Sequence, residues 1–153
     1  MLRISKLTDY GTVVMVCLAK RSPALSSARD IAEATHLAIP TVSKLLKRLT
    51  TAGLLSSTRG VSGGYKLQRA ASDISVAQII YALDEQRGLT ECSQKHDACS
   101  LHRVCHIQNN WRAISSAIES ALESVSLEAL AMPALSPAHL ERVKQLATGV
   151  RHG

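Results

Sequence analysis

Apolar residues recur at helical spacing over residues 7–20, which predicts a first helix that ends before Pro23. Its predicted apolar face comprises Leu7, Tyr10, Val13, Val14, Cys17 and Leu18. Cys17 lies on this face and is expected to be a small buried hydrophobe. The interruption of the apolar run by Asp9 and Tyr10, together with the helical spacing, favours a cytosolic helix over a signal peptide.

A second, shorter helix is predicted after Ser27. Ser27 followed by Asp30 is a capping-box signature, and Ile31 and Ala34 supply the expected buried side. The residues THLAI then predict a turn.

A third helix is predicted to begin at Pro40 and to end before Gly53. Its apolar face is Val42, Leu45, Leu46 and Leu49. The remaining sides are polar and basic, with Lys44, Lys47 and Arg48 pointing away from the apolar face. Two helices joined by a tight turn in this way predict a helix-turn-helix, whose second helix enters the DNA major groove.

Residues 54–67 predict a hairpin directly after the helix-turn-helix. LLSS and YKL have the composition of short strands, and TRGVSGG between them carries three glycines that permit a tight turn. A hairpin at this place is the wing of a winged helix, with Arg59 at its tip beside Gly60. A cation there can enter the minor groove or lie on phosphate. The alternative is a plain hairpin with a solvated arginine.

The second half of the chain contains two further periodic stretches. Ser75 precedes a short helix with Val76, Ile79, Ile80 and Leu83 on its apolar face. Over residues 107–130 the apolar positions Ile107, Trp111, Ile114, Ile118, Ala121 or Leu122, and Val125 repeat about every 3.5 residues. This stripe favours a two-fold dimer seam, and packing against its own domain is the alternative. Pro133 and Pro137 predict a tail with at most a short helix.

Charge is distributed unevenly along the 153 residues. Residues 1–75 carry eleven Lys and Arg against four Asp and Glu, whereas residues 76–153 carry seven against eight. The first half is therefore suited to a polyanion and the second half is not. No apolar run approaches the roughly 18 residues that a membrane span needs.

Cys92, Cys99 and Cys105 lie close together in the stretch ECSQKHDACSLHRVCHIQNN. In a cytosolic chain such a group indicates metal binding or redox activity rather than a disulfide scaffold. Three interpretations remain open: an iron–sulfur cluster, a zinc site completed by a histidine, and metal-free thiol chemistry. Zinc usually takes shorter CxxC spacings, and the spacing here forms a wider loop. Without CxxC, a glycine-rich nucleotide loop or an acid–base pair, an enzyme is not expected.

The chain resembles the winged-helix iron–sulfur transcriptional regulators typified by IscR and NsrR. The resemblance covers residues 1 to about 130 and rests on SKLTDYG, TRGVSGGYKL, ISVAQIIYALDE and the spacing of the three cysteines. The most similar branch is the regulator of the SUF operon for iron–sulfur cluster assembly. The resemblance implies a mostly α, winged helix-turn-helix fold with a long dimerisation helix. It also implies a homodimer that binds a double-stranded DNA operator, as a repressor, in the cytoplasm.

The resemblance also implies the functional residues. Cys92, Cys99 and Cys105 would bind a [2Fe–2S] or [4Fe–4S] cluster. The implied DNA contacts are Lys6, Thr41, Ser43, Lys44, Lys47, Arg48, Arg59 and Gly60. The histidine that the IscR branch places three residues after its last cysteine is replaced by Gln108. Asp9 matches the aspartate ligand of the NsrR branch and is the expected fourth ligand, with His106 as the alternative.

Four regions follow from this interpretation. Residues 1–84 form the winged helix-turn-helix, 85–106 the cluster-binding loop, 107–132 the dimerisation helix and 133–153 a tail. The expected function is a regulator that senses iron–sulfur, iron or oxidative status. A nitric-oxide sensor with the same cluster, and a zinc-dependent or thiol-switched regulator, are the alternatives.

Overall fold

A computed structural model describes residues 4–84, 90 and 105–149, with side chains described up to residue 145. Helix α1 (Lys6–Arg21) comes first in this part of the chain. Ser5 caps it, because its hydroxyl accepts a hydrogen bond from the Thr8 amide at 3.2 Å. Lys20 and Arg21 lie in the last turn, where positive charge complements the negative end of the helix dipole.

Helices α2 (Ala28–Thr35) and α3 (Ile39–Thr51) form the helix-turn-helix. The predicted capping box of α2 is confirmed: the Ser27 hydroxyl accepts from the Asp30 amide, and the Asp30 carboxylate accepts from the Ser27 amide. The turn between the helices contains His36 in the left-handed conformation, with φ of 55°. Pro40 is the second residue of α3 rather than the first, and Gly53 follows its end.

Strands β1 (Leu55–Thr58) and β2 (Gly64–Leu67) pair antiparallel, with Leu55 opposite Leu67 and Thr58 opposite Gly64. The segment between α1 and α2 adds to β2, because Ser26 and Tyr65 exchange two backbone hydrogen bonds of 3.0 and 2.9 Å. Gly64 is required here, since a Cβ would lie only 2.7 Å from the Ser26 carbonyl oxygen. The base of the predicted wing is therefore fixed to the helical body.

A 3₁₀ turn (Ala71–Asp73) leads into α4 (Val76–Leu83), which Ser75 and Gln78 cap with a second capping box. Farther along the chain are α5 (Gln108–Glu123), α6 (Leu127–Leu130) and α7 (Pro137–Gly149). Residues next to the start of α6 pair with residues next to the start of α4. The Val76 amide donates to the Val125 carbonyl at 2.9 Å, and the Leu127 amide donates to the Ile74 carbonyl at 2.7 Å.

Helix α1 lies at the centre of the core and packs against α2, α3, α4, α6 and β2. The fully buried apolar side chains come from α1, α2, α3, α4, α6 and the segment before α4: Val14, Met15, Ile31, Val42, Leu45, Leu46, Leu49, Ile74, Ile79 and Leu127. All four residues of the predicted apolar face of α3 are among them. The predicted fold, mostly α with a helix-turn-helix and a small hairpin, is confirmed.

Some details differ from the sequence predictions. Val13 is 43% exposed, and Met15 is buried in the core instead, because α1 contacts neighbours around much of its circumference. Ala34 is exposed and Ala32 is buried. Cys17 is only half-buried.

The segment over residues 107–130 is divided into α5 and α6, because the Ser126 hydroxyl caps a new helix by accepting from the Ala129 amide at 3.1 Å. The tail contains the 13-residue α7, which is longer than expected. Within the described residues, no helix combines the length and the apolar character that a membrane crossing requires.

Candidate nucleic-acid interface and metal ligands

The outer side of α3 presents polar and basic side chains. Ser43, Lys44 and Lys47 are exposed, and Thr41 is half-buried on the first turn. Because the opposite side of α3 is fully buried, these residues are held in one direction on a rigid helix. Hydroxyl and ammonium groups in this arrangement can donate hydrogen bonds to phosphates and base edges in a major groove.

Arg48 differs from the other predicted DNA contacts on α3. It is half-buried, and its Nη1 donates a hydrogen bond of 2.9 Å to the backbone carbonyl of Leu83 at the end of α4. A groove of about 470 Å³ lies beside this bond, lined by Lys44, Lys47, Thr51, Tyr81 and Asp84 among others.

The hairpin presents a second cationic point. Arg59 and Gly60 are exposed at its tip, and Gly60 has a φ of 113°, a conformation that favours glycine. The Gly63 amide closes the turn by donating to the Gly60 carbonyl at 3.0 Å. Val61 beside them is fully exposed, and it was not among the predicted DNA contacts. The sequence signal for it is an aliphatic residue within the glycine-rich hairpin tip.

Lys6 lies in the first turn of α1 and is exposed. Its ammonium is 5.5 Å from the centre of the Tyr10 ring, within the range of a cation–π contact. This contact favours a position of the charge close to the start of α1.

Two of the predicted cluster ligands fall within the described residues. Asp9 is exposed in the first turn of α1, and Cys105 is half-buried shortly before α5, with the exposed His106 next to it. Cys92 and Cys99 lie outside the described residues. Among residues 4–84, 90 and 105–149, no three Cys, His, Asp or Glu side chains are grouped closely enough to hold a metal ion.

The donor set nevertheless fits an iron–sulfur cluster chemically. Cysteine thiolates are the usual ligands of such clusters, and a residue of another type can replace one of them. Neither described donor is enclosed in the core, since Cys105 is partly accessible and Asp9 is exposed. Both are therefore accessible to a group bound at the surface of the chain.

The predicted apolar stripe is exposed only in its first part, because Ile118 and Leu122 are half-buried and Val125 is buried. Ile107, Trp111 and Ile114 are 55%, 36% and 45% exposed, although large apolar side chains are usually buried. No residue of α5 is buried, while the helix contacts α4 and α7 on other sides. The stripe begins two residues after Cys105.

The helix-turn-helix, the hairpin and the basic outer side of α3 define a winged-helix DNA-binding transcriptional regulator. The sequence profile of the Rrf2 family, described as iron-dependent transcriptional regulators, matches residues 4–133. The chain therefore belongs to the Rrf2 family, whose members are regulators rather than enzymes.

Relatives and solved structures agree with this assignment. The chain is 40% identical over 130 residues to the HTH-type transcriptional regulator IscR of Photorhabdus laumondii, covering 84% of this chain and 79% of that protein. It superposes on CymR, the global cysteine regulator of B. subtilis, with a TM-score of 0.67 and 30% identity over 86% of this chain and 97% of the other. For IscR of T. potens the TM-score is 0.63, with 29% identity over 83% and 84% of the two chains.

Proposed function

We propose that the protein is a homodimeric repressor whose affinity for an operator depends on a bound iron–sulfur cluster. The observation that carries this proposal is the position of Cys105, shortly before the helix that exposes an apolar stripe. A predicted ligand thus directly precedes the helix that carries the predicted dimer seam. A ligand bound at one end of a seam can alter how two subunits meet.

The proposed DNA contacts are polar residues on the outer side of α3, together with Arg59 and Gly60 of the hairpin and Lys6 of α1. Thr41, Ser43, Lys44 and Lys47 would face the major groove, and Arg59 the adjacent minor groove or its phosphates. A two-fold dimer presents two copies of this surface, so its operator would be approximately palindromic.

Cys92, Cys99 and Cys105 would hold the cluster, which supplies a redox-active and oxygen-sensitive group when bound. Asp9 is the proposed fourth ligand, donated by the partner subunit, and His106 is the alternative. A carboxylate is a harder ligand than a thiolate, so it would bind iron weakly and leave the iron atom that it ligates reactive. The exposure of Asp9 on α1 is compatible with a donor that reaches another chain.

The proposed mechanism is a shift between two arrangements of the dimer. Ligation of Asp9 and Cys105 would favour one spacing of the two α3 helices, and their release would favour the other. Operator affinity changes only by the free-energy difference that ligation makes between the two arrangements. Control of the SUF operon is the proposed biological setting and rests on the resemblance to that branch.

The visible absorption spectrum of protein purified without oxygen tests the cluster. We expect broad visible absorption that is lost in Cys92→Ala and retained in Cys17→Ala, the matched cysteine control on α1. Asp9→Ala should change the spectrum, and His106→Ala should not. A colourless protein that iron and sulfide cannot reconstitute would overturn the sensing mechanism and leave the DNA-binding assignment intact.

A thiol-switched regulator is the second candidate, favoured by the superposition on CymR, a cysteine regulator. In that case metal-free protein would change its DNA affinity on treatment with a mild oxidant, and Cys105→Ser would abolish the change. A zinc-dependent regulator would instead retain zinc on purification. A nitric-oxide sensor would show the same cluster spectrum, with loss of DNA binding on addition of nitric oxide.

A further inference from the structure

Arg48 belongs to the recognition helix α3, but its guanidinium contacts the end of another helix. Nη1 donates to the carbonyl of Leu83, the last residue of α4, at 2.9 Å. The last carbonyls of a helix have no partner within the helix, and a cation there also complements the negative end of the dipole. Arg48 therefore joins the outer side of α3 to the C-terminal end of α4.

The side chain of Leu83 makes a second connection at the same point. Leu83 is buried, and its Cδ1 fills the space that a Cβ on Gly11 of α1 would occupy. The Leu45 side chain of α3 lies 3.4 Å from that same position. Because Leu83 lies against Gly11 of α1 and shares the core with Leu45 of α3, a shift of the end of α4 would disturb its packing on both helices.

In the sequence, this junction is close to the segments that carry the predicted ligands. Asp84 is the last described residue before the proposed cluster-binding segment, and Cys92 follows it by eight positions. Gly11 lies two positions after Asp9 on α1. Both halves of the proposed ligand set are thus close in sequence to residues that contact Leu83.

We infer that Arg48 is a positioning residue that couples the cluster-binding segment to α3, and that it is not a DNA phosphate contact. The inference rests on the proposed function for the identity of the signal, but the geometry of Arg48 stands independently. If the guanidinium turned toward DNA, it would give up the bond to the Leu83 carbonyl at a half-buried site. Lys44 and Lys47, by contrast, are exposed and can reach phosphate without breaking this bond.

The first test uses the full-length protein without cluster, with Arg48→Ala, Arg48→Lys and the control Lys47→Ala. The probe is a duplex selected from random-sequence DNA by the wild-type protein. Loss of a phosphate contact lowers the salt dependence of log affinity by about 1, whereas loss of a positioning bond does not. We expect Lys47→Ala to lower this slope and both Arg48 variants to keep it.

Hydrogen exchange of the Asp84 amide supplies a readout that needs neither cluster nor DNA. This amide donates to the Ile80 carbonyl at 2.8 Å in the last turn of α4. It should exchange faster in both Arg48 variants than in the wild type or Lys47→Ala. The lysine ammonium reaches less far from the backbone than the guanidinium nitrogens of arginine, so Arg48→Lys should keep the charge without restoring protection. Unchanged exchange in Arg48→Ala, or a salt slope reduced as in Lys47→Ala, would overturn the inference.

The second test measures coupling as the ratio of operator affinities with and without the reconstituted cluster. We expect the ratio to move toward 1 in both Arg48 variants and to stay at the wild-type value in Lys47→Ala, even where that variant binds more weakly. An Arg48 variant that retains the wild-type ratio would contradict the coupling. If the wild type itself shows no difference, the proposed function fails, while exchange and salt slope still decide the structural role of Arg48.

Discussion

Arg59 is exposed at the tip of a hairpin whose base is fixed to the helical body. The strands on either side of the hairpin tip are paired, and β2 is also bonded to Ser26. The arginine therefore starts from a defined position and loses less conformational freedom on binding than it would on a free loop. Its long cationic side chain is suited to a narrow, electronegative minor groove.

Arg59→Ala should weaken operator binding by about 1–3 kcal/mol if the side chain enters the groove. Lys66→Ala is the matched control, because Lys66 is exposed on β2 of the same hairpin. Fluorescence anisotropy with a selected duplex measures both affinities. Equal losses for the two variants would mean that the hairpin contributes only general positive charge.

At the scale of single elements, α2 shows how a short helix is stabilised by its first turn. The Asp30 carboxylate accepts hydrogen bonds from the Ser27 hydroxyl at 2.7 Å and from the Ser27 amide at 3.0 Å. These bonds hold the pKa of Asp30 below its ordinary value of 3.8, the side-chain bond contributing most. The ionised carboxylate is therefore favoured in the folded chain relative to the unfolded chain.

The contribution of Asp30 to stability should be complete above its ordinary pKa of 3.8 and should disappear as pH falls through the lower folded value. Asp30→Asn should therefore be less stable than wild type in urea unfolding at neutral pH, with a difference that shrinks in acid. Ser27→Ala should cost about 1 kcal/mol at neutral pH, as for other N-cap serines.

Ala34→Gln, at an exposed position of the same helix, should follow the wild type at every pH. A difference between Asp30→Asn and wild type that is constant from neutral to acid pH would show that ionisation of Asp30 does not stabilise α2.

Local signals in the sequence are sufficient to predict where helices begin and end. The burial of individual side chains and the break before α6 depend on tertiary contacts. Ser27, Asp30 and Gly53 mark helix ends through short-range chemistry, so their pattern is sufficient. The exposure of Val13 and the burial of Met15 depend on how many neighbours surround α1, which periodicity along one helix does not encode. The break before α6 likewise depends on the backbone pairing beside Ile74 and Val76.

The exposed residues of the candidate site were predictable from the sequence, and its long-range contacts were not. The exposure of Lys44, Lys47 and Arg59 follows from amphipathic spacing and turn chemistry. The bond from Arg48 to Leu83 joins residues 35 positions apart, and no local pattern encodes it. The ligand set beyond Asp9, Cys105 and His106 lies outside the described residues and stays a prediction.

For the molecule as a whole, the stripe on α5 determines the proposed assembly. Three large apolar side chains remain exposed at the start of α5, and burying them against a second copy would remove that surface from water. A seam of this kind would place two helix-turn-helix units at a fixed separation. DNA binding by the pair would then be stronger than by either unit.

If the proposed seam forms the dimer, Ile114→Glu should yield a monomer of 16.4 kDa in sedimentation experiments, because a charge at the seam would be buried without a partner. Ser116→Glu adds the same charge at an exposed position on a different face of α5 and should remain dimeric. Circular dichroism should show that both variants keep their helix content. A dimeric Ile114→Glu would place the interface elsewhere.

The C-terminal end of α5 is held by backbone hydrogen bonds, and its N-terminal end follows Cys105, a proposed ligand. Beyond Glu123, the bonds from Val76 to Val125 and from Leu127 to Ile74 tie the chain to the DNA-binding domain. A 16-residue helix is about 24 Å long, so a rotation of about 5° at the tied end moves the Cys105 end by about 2 Å. A small rotation at the tied end is thus magnified at the Cys105 end. If Cys105 binds the proposed cluster, a rotation of this size imposed by DNA binding would strain or break its bond to iron.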